Sequence, residues 1–469
     1  MPSLLVLALV ALQIVAIVFA FRAIRSARTP QGSVAWVVFL IAAPYIAVPA
    51  FLFLGNSRVR NHIVARRESE EVIAGVARHA EQHPAHGDRK ALGYGGFEKA
   101  AEVPVLSGND MQLLVDGEAA FDALFAAIDA AQDYVLAQFY IVHDDELGRA
   151  FQARLLAAME RGVTVRLLYD AVGCVKLPES YLDRLREGGV HIMDQNAIRG
   201  PKTRFQINFR NHRKTVVVDG TLGLTGGFNV GDEYMGRDPK FGAWRDTHCT
   251  LKGPIVSQLQ LVFAEDWYWA NEEVLVESLN WDSGRAEANM DGLIMATGPA
   301  DVQETGSIYF CAAISAAKDR LWIASPYFVP ETDIMTALKL AAMRGVDVRI
   351  MVPEVIDHTI PWLAAFAYFD ELVEAGVQIW RYDSGFMHQK VLVVDECIAS
   401  VGTTNLDNRS CRLNFEATAI LFDSRAARDV AAMLEADFEK CFLLETLLVE
   451  QPAKIRLGAP VARLFAPLL

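Results

Sequence analysis

A short pattern of histidine, lysine and aspartate occurs twice in the chain. It reads HRKTVVVD at 212–219 and HQKVLVVD at 388–395, with a glycine seven residues after each aspartate and an asparagine seventeen residues after each histidine. The repeated positions are His212, Lys214, Asp219, Gly226 and Asn229 in the first copy and His388, Lys390, Asp395, Gly402 and Asn405 in the second. Because both copies keep the same downstream spacing, chance does not account for the pair.

These side chains suit the displacement of an alcohol from a phosphodiester. That reaction needs a nucleophile, an acid for the leaving oxygen and positive charge around the phosphate. One imidazole can attack phosphorus and form a phosphohistidine, while the second protonates the departing alcohol. The lysines and asparagine amides supply charge and hydrogen-bond donors, and removing one such donor typically costs about a hundredfold to a thousandfold in rate. The set predicts transfer that needs no metal ion.

Each motif begins a predicted strand. The histidine and lysine are two residues apart, so on a strand both point to one face. The runs that follow, 215–218 and 391–394, are apolar and rich in β-branched residues, as in strands buried on both faces. Asp219 and Asp395 complete the motif and are candidates for the catalytic set, although aspartate at a strand end also commonly binds turn backbone.

The duplication extends beyond the motif and predicts the fold. AAIDAAQDYVLAQFY at 126–140 is similar to AAISAAKDRLWIASPYF at 312–328, and LREGGVHI at 185–192 is similar to LVEAGVQI at 372–379. Helices and strands alternate in both halves, which predicts an α/β fold of two homologous domains, each a mostly parallel mixed sheet flanked by helices. The predicted boundaries are 106–290 and 291–469, preceded by hydrophobic segments in 1–55 and by a juxtamembrane helix and linker in 56–105. With one motif in each half, we expect one site between the halves.

The duplicated motif resembles that of the phospholipase D superfamily, and over essentially the whole chain the sequence is similar to its bacterial cardiolipin synthase family. The similarity rests on RNHRKTVVVDG, TGGFNVGDEY, WRDTHCTLKGP and ARLFAPLL, together with the hydrophobic N-terminus. The resemblance implies a membrane-bound phosphatidyltransferase without a cofactor. One histidine takes the phosphatidyl group from phosphatidylglycerol and releases glycerol, and a second phosphatidylglycerol attacks to give cardiolipin. A phospholipase D-type hydrolase or a transphosphatidylase for another lipid stays open, as does a non-catalytic membrane scaffold, which the two intact motifs disfavour.

The resemblance also implies carboxylates that orient the imidazoles. In the superfamily a carboxylate follows the motif histidine by 28 residues, and Glu416 has this spacing from His388. The first half departs from the pattern, because Lys240 stands at that distance from its histidine. Asp246 and Glu233 are the nearby candidates, and Asp246 is favoured because an insertion would carry it into place.

Five residues are candidates for binding substrate: Asn229, Asn405, Thr403, Gly227 and Arg210. Thr403 offers a hydroxyl to phosphate, whereas Gly227, its counterpart, offers only a backbone amide. Arg210 belongs to the segment 195–218, which has six basic residues and no acidic one. Such a segment suits an anionic lipid surface, where each Lys or Arg contributes about 1 kcal/mol; a charged edge hairpin is the alternative.

The N-terminus predicts a membrane anchor. Residues 4–21 and 33–55 are 18 and 23 residues long and carry no charge, and about 20 apolar residues cross a bilayer as a helix. Pro44 and Pro49 lie inside the second segment, so it either spans or re-enters the membrane. The loop between the two segments and the stretch after the second segment carry nearly equal numbers of arginines, so the charges do not set the orientation. An even number of crossings nevertheless places the N-terminus and the catalytic region on the same side of the membrane. We expect a multi-pass protein of the bacterial inner membrane with a cytoplasmic catalytic region.

The net charge and the spacing of the cysteines argue against some kinds of binding partner. The formal net charge of −14 argues against a general nucleic-acid-binding surface. The six cysteines are scattered, without a C-x-x-C pair, and indicate neither a zinc site nor a disulfide framework. The expected partners are phosphatidylglycerol, cardiolipin and the lipid bilayer, and self-association is left open.

The nearly symmetric motifs give only a weak basis for dividing the chemistry between the two histidines. We predict that His212 is the nucleophile, because it follows the basic segment. We predict that His388 is the general acid and then the base, because Glu416 stands at the expected spacing from it, and a carboxylate stabilises an imidazolium.

Overall fold

The computed structural model describes residues 2–26, 30–54, 82–86, 93–195, 209–301 and 303–469. Ahead of the two halves are α1 (Pro2–Ser26), α2 (Pro30–Ala42), α3 (Pro44–Leu54) and α4 (Tyr94–Ala101). The first half contains β1 (Leu106–Val115), α5 (Asp116–Ala130), β2 (Tyr134–Phe139), α6 (Glu146–Glu160), β3 (Thr164–Tyr169), α7 (Glu179–Glu187), β4 (His191–Asp194), β5 (Arg210–Asn211), β6 (Thr215–Val218), β7 (Leu222–Gly226), β8 (Trp244–Arg245), β9 (Thr247–Lys252) and α8 (Ile255–Asn271).

The second half contains β10 (Met290–Thr297), α9 (Thr305–Ala316), β11 (Arg320–Ala324), β12 (Phe328–Val329), α10 (Thr332–Met343), β13 (Asp347–Pro353), α11 (Thr359–Glu374), β14 (Gln378–Tyr382), β15 (Phe386–Met387), β16 (Val391–Val394), β17 (Ile398–Gly402), β18 (Leu406–Asp407), α12 (Asn408–Arg412), β19 (Asn414–Phe422), α13 (Ser424–Phe438), β20 (Cys441–Leu443) and α14 (Ala453–Arg463). It repeats the order of the first half and adds β12, α12, β20 and α14.

One continuous sheet joins the halves. Its strand order is β20-β14-β13-β11-β16-β17-β19-β10-β1-β9-β7-β6-β2-β3-β4, with β1 and β10 paired antiparallel at the centre. The order reads the same outwards from the centre in both halves, apart from the additional edge strand β20. The motif strands β6 and β16 therefore occupy equivalent positions.

The sheet is mixed, as predicted, but the expectation of mostly parallel pairing needs correction. Within this sheet, parallel pairs join β2, β3 and β4 in the first half and β11, β13 and β14 in the second. The strands from the motif inwards pair antiparallel. Short hairpins connect β6 to β7 and β16 to β17, and a short hairpin can only join antiparallel strands. Continuous apolar runs did not distinguish the two arrangements.

Helices cover both faces of the sheet. On one face lie α8 and α13, and their buried residues, such as Phe263 and Leu434, belong to a single core that includes strand residues of both halves. The opposite face is covered by α5, α6 and α7 in the first half and by α4, α9, α10 and α11 in the second. Because the halves share a core as well as a sheet, their relative position is held by burial of apolar side chains, each worth about 1.5–3 kcal/mol.

The segment before β1 differs in part from the predicted linker. Tyr94 and Phe97 of α4 are buried against Phe422 of the second half. His86 is bonded to Asp291 through its backbone amide at 2.8 Å and its ring at 3.2 Å. Residues 82–86 and 93–105 are thus packed against the second half. The predicted juxtamembrane helix lies outside the described residues.

The N-terminal hydrophobic segments form three helices. By length and composition, α1 is the helix among the described residues that can cross a membrane, over Val6–Arg25. The second segment is divided at Ala43 into α2 and α3, because Pro44 has no amide hydrogen with which to continue the helix. Phe51 of α3 packs against Phe19 of α1 and Trp36 of α2, with ring centroids 5.3 and 5.1 Å apart.

Candidate active site

Two short strands cross between the halves and bring the motif histidines to the opposite domain. β5 pairs in parallel with the start of β19, and β15 pairs in parallel with β8. The backbone amide of His212 donates to the carbonyl of Phe415 at 2.9 Å, and that of His388 donates to the carbonyl of Arg245 at 2.8 Å. Glu416 follows Phe415, and Asp246 follows Arg245. Each histidine therefore lies beside a carboxylate of the other half.

Each imidazole is therefore held by the carboxylate of the other half. The Nδ1 atom of His212 lies 2.9 Å from Glu416, and the Nδ1 atom of His388 lies 2.8 Å from Asp246. Both carboxylates are completely buried. Glu416 and Asp246 are the two residues expected to orient the imidazoles, but the expected partners were exchanged: Glu416 binds His212 and not His388. Glu233, the other candidate, lies 3.6 Å from His143.

The electrostatics favour neutral imidazoles with the proton on Nδ1. Burial lowers the pKa of His212 to about 4, against the opposing charge of Glu416. Burial and the charge of Lys390 likewise lower the pKa of His388. Burial by itself would raise the pKa of Asp246, but the charge of Lys390 and the hydrogen bond from His388 hold it at about 2. Each ionised carboxylate accepts the Nδ1 proton and leaves the lone pair of Nε2 free for attack or proton transfer.

The motif lysines lie beside these histidines. The Lys214 ammonium donates to the carbonyl of His212 at 2.6 Å, and Lys390 donates to the carbonyl of His388. Burial lowers the pKa of Lys214 well below its usual value and that of Lys390 to about 8. The charge of Lys390 also lowers the pKa of His212, and that of Lys214 lowers the pKa of His388. All four groups consequently share one electrostatic environment.

Buried ion pairs, which the sequence reasoning did not identify, brace the crossing strands. Arg213, between the first motif's histidine and lysine, contacts Asp266 of α8 at 2.7 Å and the carbonyl of Glu416 at 3.0 Å. Arg245, which precedes Asp246, contacts Asp437 of α13 at 2.7 Å. Each domain has an aspartate near the end of its long helix, and this repetition was the sequence signal that could have identified the ion pairs.

The motif aspartates bind turn backbone, which is the alternative that the sequence left open for them. Asp219 accepts hydrogen bonds from the backbone amides of residues 132–134 at 2.8–2.9 Å, and Asp395 accepts from those of residues 318–320 at 2.8–3.0 Å. Both have positive φ, 52° and 49°, which aspartate tolerates better than most residues. They secure the loop that enters the neighbouring strand, at the end of the motif strand away from the histidines.

Three of the candidate substrate-binding residues make hydrogen bonds within the protein framework. Asn229 accepts from the amide of Ile141 at 3.1 Å and donates to the Tyr234 hydroxyl at 3.0 Å. The Thr403 hydroxyl lies 2.9 Å from the amide and 3.3 Å from the carbonyl of Ala417.

Gly227 is the third. Its amide donates to the carbonyl of Thr247 at 3.0 Å and is not available to a substrate. A Cβ at this position would lie 1.9 Å from the carboxylate of Asp246. The glycine therefore leaves the space in which the carboxylate partner of His388 sits.

Asn405 and Arg210 line a cavity of about 630 Å³ that reaches His212. Tyr140, Tyr327, Arg409 and Asn414 also line it and were not identified from the sequence. The Tyr140 ring packs edge-on against the His212 imidazole, with centroids 5.1 Å apart. Tyr140 and Tyr327 each follow the first parallel strand of their half, and this repetition was a signal that sequence reasoning could have used. Residues 196–208, with most of the basic segment, lie outside the described residues.

Among the described residues, no cluster of three or more His, Cys, Asp or Glu side chains has the arrangement of a metal site. The six cysteines are free thiols.

Comparison with known proteins places this arrangement in a family. Residues 124–267 and 310–442 match the family described as "Cardiolipin synthase, PLD-like domain". The chain is 44% identical to Cardiolipin synthase A of Pseudomonas aeruginosa over 99% of its length and 96% of that protein. It is 42% identical to Cardiolipin synthase A of Pseudomonas putida over 98% of its length and 96% of that protein.

Solved structures show the fold. The crystal structure of phosphatidylserine synthase from Haemophilus influenzae Rd KW20 is similar with a TM-score of 0.59, covering 80% of this chain and 100% of that one at 14% identity. The two matched segments of this chain each contain one His–Lys motif. The family expected from the duplicated motif is confirmed, and the chain belongs to the cardiolipin synthase family of the phospholipase D superfamily.

Proposed function

We propose that this protein is a membrane-bound phosphatidyltransferase that makes cardiolipin and glycerol from two molecules of phosphatidylglycerol through a phosphohistidine. The observation that carries the proposal is the pair of buried imidazoles, each bonded to a carboxylate of the opposite half and each next to a motif lysine. Relatives that match over nearly their whole length are named Cardiolipin synthase A.

The residues support two steps at phosphorus. Nε2 of His212 attacks the phosphorus atom of the first lipid, the P–O bond to glycerol breaks, and His388 gives its proton to the leaving oxygen. The hydroxyl of the second lipid then gives its proton to His388 and attacks phosphorus, and the bond to His212 breaks. Lys214 and Lys390 balance the phosphoryl charge in both steps. Approach of the anionic phosphate favours the imidazolium of His388 that the first step requires.

The hydrogen bonds to the two carboxylates support this division of roles. Besides His212, Glu416 accepts hydrogen bonds from Ser410 at 2.8 Å and Asn414 at 3.1 Å. These bonds share the negative charge that would otherwise stabilise an imidazolium. Asp246 accepts from the amide of Thr247 at 2.7 Å and keeps more of its charge for His388. Sequence spacing does not support this division, because Glu416 binds His212 and not His388.

The location of apolar surface supports a lipid substrate. On α14 and the turn after it, Leu457, Val461, Leu464 and Phe465 are between 47 and 78% exposed. The chain then continues to Leu468 and Leu469, which line the cavity. Exposed apolar residues at the rim of a cavity suit acyl chains or the bilayer interface.

We also propose a multi-pass membrane protein, with α1 and the divided second segment as the anchor and the catalytic region on the cytoplasmic side.

The direct test is to incubate the purified full-length protein with phosphatidylglycerol alone in detergent micelles and to identify the products by mass spectrometry. We expect cardiolipin and glycerol in equal amounts. Phosphatidic acid as the dominant product would identify a hydrolase, and a requirement for a cytidine nucleotide-activated lipid would exclude the proposed reaction. A parallel reaction with a chelator should retain its rate, since the lysines supply the charge.

A further inference from the structure

Helix α14 and the turn after it carry two apolar stripes, each with the spacing of a helix face. The inner stripe packs on the core of the second half and consists of Ile455, Ala459, Ala462 and Ala466. The outer stripe is exposed and consists of Leu457, Val461, Leu464 and Leu468. Single exposed apolar residues are ordinary, but a continuous exposed stripe indicates an interaction surface.

Contacts with α11 hold α14 in this orientation. A Cβ at Gly458 would lie 3.2 Å from the side chain of Leu363, so the two helices approach closely there. The guanidinium of Arg463 lies over the ring of Tyr368, 4.6 Å from its centroid, and donates to the carbonyl of Ala367 at 3.4 Å. The outer stripe therefore stays on the side of α14 that faces away from the core.

The outer stripe leads directly to the candidate active site. Leu468 and Leu469 line the cavity that reaches His212. The backbone amide of Arg409 donates to the backbone oxygen of Leu469 at 2.6 Å, and its guanidinium donates to the carbonyl of Leu468 at 3.1 Å. Ile360, at the start of α11, is also exposed and lines the same cavity. The exposed apolar surface is thus continuous with the cavity wall.

The charge of this segment is opposite to that of the whole chain. Residues 451–469 contain three basic residues and no acidic one, whereas the chain has a formal net charge of −14. Lys454, Arg456 and Arg463 are exposed, and at about 100° per residue they lie on both sides of the outer stripe. Arg456 donates to the carbonyl of Val449 at 3.4 Å, and the contacts of Arg463 with α11 are likewise with neutral groups. The segment therefore presents positive charge beside its apolar stripe.

We infer that the outer stripe of α14 is a membrane-docking surface, which lies in the interface of a bilayer containing anionic phospholipid and turns the cavity towards it. Leucine and valine flanked by lysine and arginine match the acyl and headgroup layers of such a bilayer. The long basic side chains reach the headgroup phosphates while the apolar side chains are buried. The inference rests on the proposed function and adds to the N-terminal anchor a second membrane contact, within the catalytic region.

The test places a fluorophore on the outer stripe of the full-length protein. Leu464→Cys is labelled with nitrobenzoxadiazole and reconstituted in phosphatidylcholine vesicles with or without phosphatidylglycerol, in which some acyl chains carry a doxyl quencher. Turnover to cardiolipin does not alter the surface charge, because glycerol leaves uncharged. We expect a blue shift and doxyl quenching with phosphatidylglycerol and less of both without it. Lys454→Gln combined with Arg456→Gln should reduce the quenching.

The matched control is Arg428→Cys, at an exposed position of α13 on the opposite face of the sheet, which should not be quenched. Unsubstituted protein labelled in parallel corrects for the native cysteines. A blue shift without doxyl quenching would mean that protein covers the outer stripe, either a second copy or the N-terminal helices, and would overturn the inference. Equal quenching without phosphatidylglycerol would overturn the assignment to an anionic bilayer.

Activity gives a second, independent measurement. Val461→Ser combined with Leu464→Ser should lower the ratio of activity on phosphatidylglycerol vesicles to activity on short-chain phosphatidylglycerol in detergent by about tenfold. Loss of folded protein does not change this ratio, and an unchanged ratio would overturn the inference. A wild-type protein that makes no cardiolipin from either lipid would refute the proposed function, whereas quenching needs no turnover and would still decide whether α14 docks on the bilayer.

Discussion

The imidazole of His212 lies 2.9 Å from the carboxylate of Glu416, 204 residues later in the chain and in the other half of the molecule. His388 and Asp246 form the reciprocal contact at 2.8 Å. Neither half alone can therefore hold its own histidine as it is held in the site. The duplicated domains form one catalytic unit because each supplies the orienting carboxylate of the other.

The crossed contacts predict that the two carboxylates affect different steps. Asp246→Asn should impair proton donation by His388 about a hundredfold or more with phosphatidylglycerol. It should have much less effect with a nitrophenyl phosphatidyl donor, whose leaving group needs no proton. Glu416→Gln should slow both donors, because it disturbs the nucleophile. Rates of leaving-group release with the two donors provide the measurement, and the reverse pattern would place the acid at His212.

The nucleophile can be identified by trapping. With labelled nitrophenyl phosphatidyl donor, His388→Ala should still accumulate label on His212, whereas His212→Ala should remain unlabelled. Peptide mapping under alkaline conditions, in which phosphohistidine survives, locates the label. His191→Ala, at an exposed position of β4, is the control. Label on His388 would reverse the roles without changing the overall mechanism.

The pH dependence follows from the lowered pKa values of the histidines. Activity should fall as the pH drops through about 4, where the nucleophile His212 becomes protonated. On the alkaline side, kcat/KM should fall as His388 loses its proton. This loss should occur below pH 6.5, because burial lowers the pKa of His388 from that ordinary value for histidine. The alkaline limb of the kcat profile should lie at higher pH than that of the kcat/KM profile, because the phosphate of the bound substrate favours the imidazolium of His388. Asp246→Asn should move the kcat/KM limb to lower pH, since Asp246 raises the pKa of His388; a shift upwards would contradict this.

Gly227 should be required for the site although it makes no contact with substrate. In Gly227→Ala the added methyl group meets the Asp246 carboxylate and displaces the partner of His388. A misplacement of this size costs about a hundredfold in rate. Steady-state turnover checks this prediction, with Gly95→Ala in α4 as control because a Cβ there meets nothing within 4 Å. Equal activity of the two variants would mean that Asp246 has no orienting role.

Asp395 should contribute to stability more than to chemistry. Asp395→Ala removes the acceptor of several backbone amides and should reduce stability by about 1–3 kcal/mol. Asp395→Asn should be milder, because asparagine keeps one acceptor oxygen and tolerates positive φ. Thermal unfolding in detergent measures the loss, and turnover per folded molecule should remain close to that of the wild type. A large loss of turnover in a stable variant would return Asp395 to the catalytic set.

Much of the site was predictable because its signals are local. The His-x-Lys spacing places both side chains on one face of a strand in any fold that keeps the strand, and repetition of the motif with its downstream glycine and asparagine identified the pair. The type of residue, however, does not by itself fix the contacts that its side chain makes. Asn229 and Thr403 have groups suited to phosphate, yet their hydrogen bonds are made within the protein.

The sequence by itself determined the two motifs, the duplication, the family and which two carboxylates contact the motif histidines. Only the tertiary structure decided that Glu416 binds His212 and Asp246 binds His388. That exchange depends on β5 pairing with β19 and β15 pairing with β8, contacts between residues far apart in sequence that local spacing does not encode. The same pairing brings Arg210 of one half next to Arg409 of the other, because backbone hydrogen bonds between distant strands set the register of every side chain they carry.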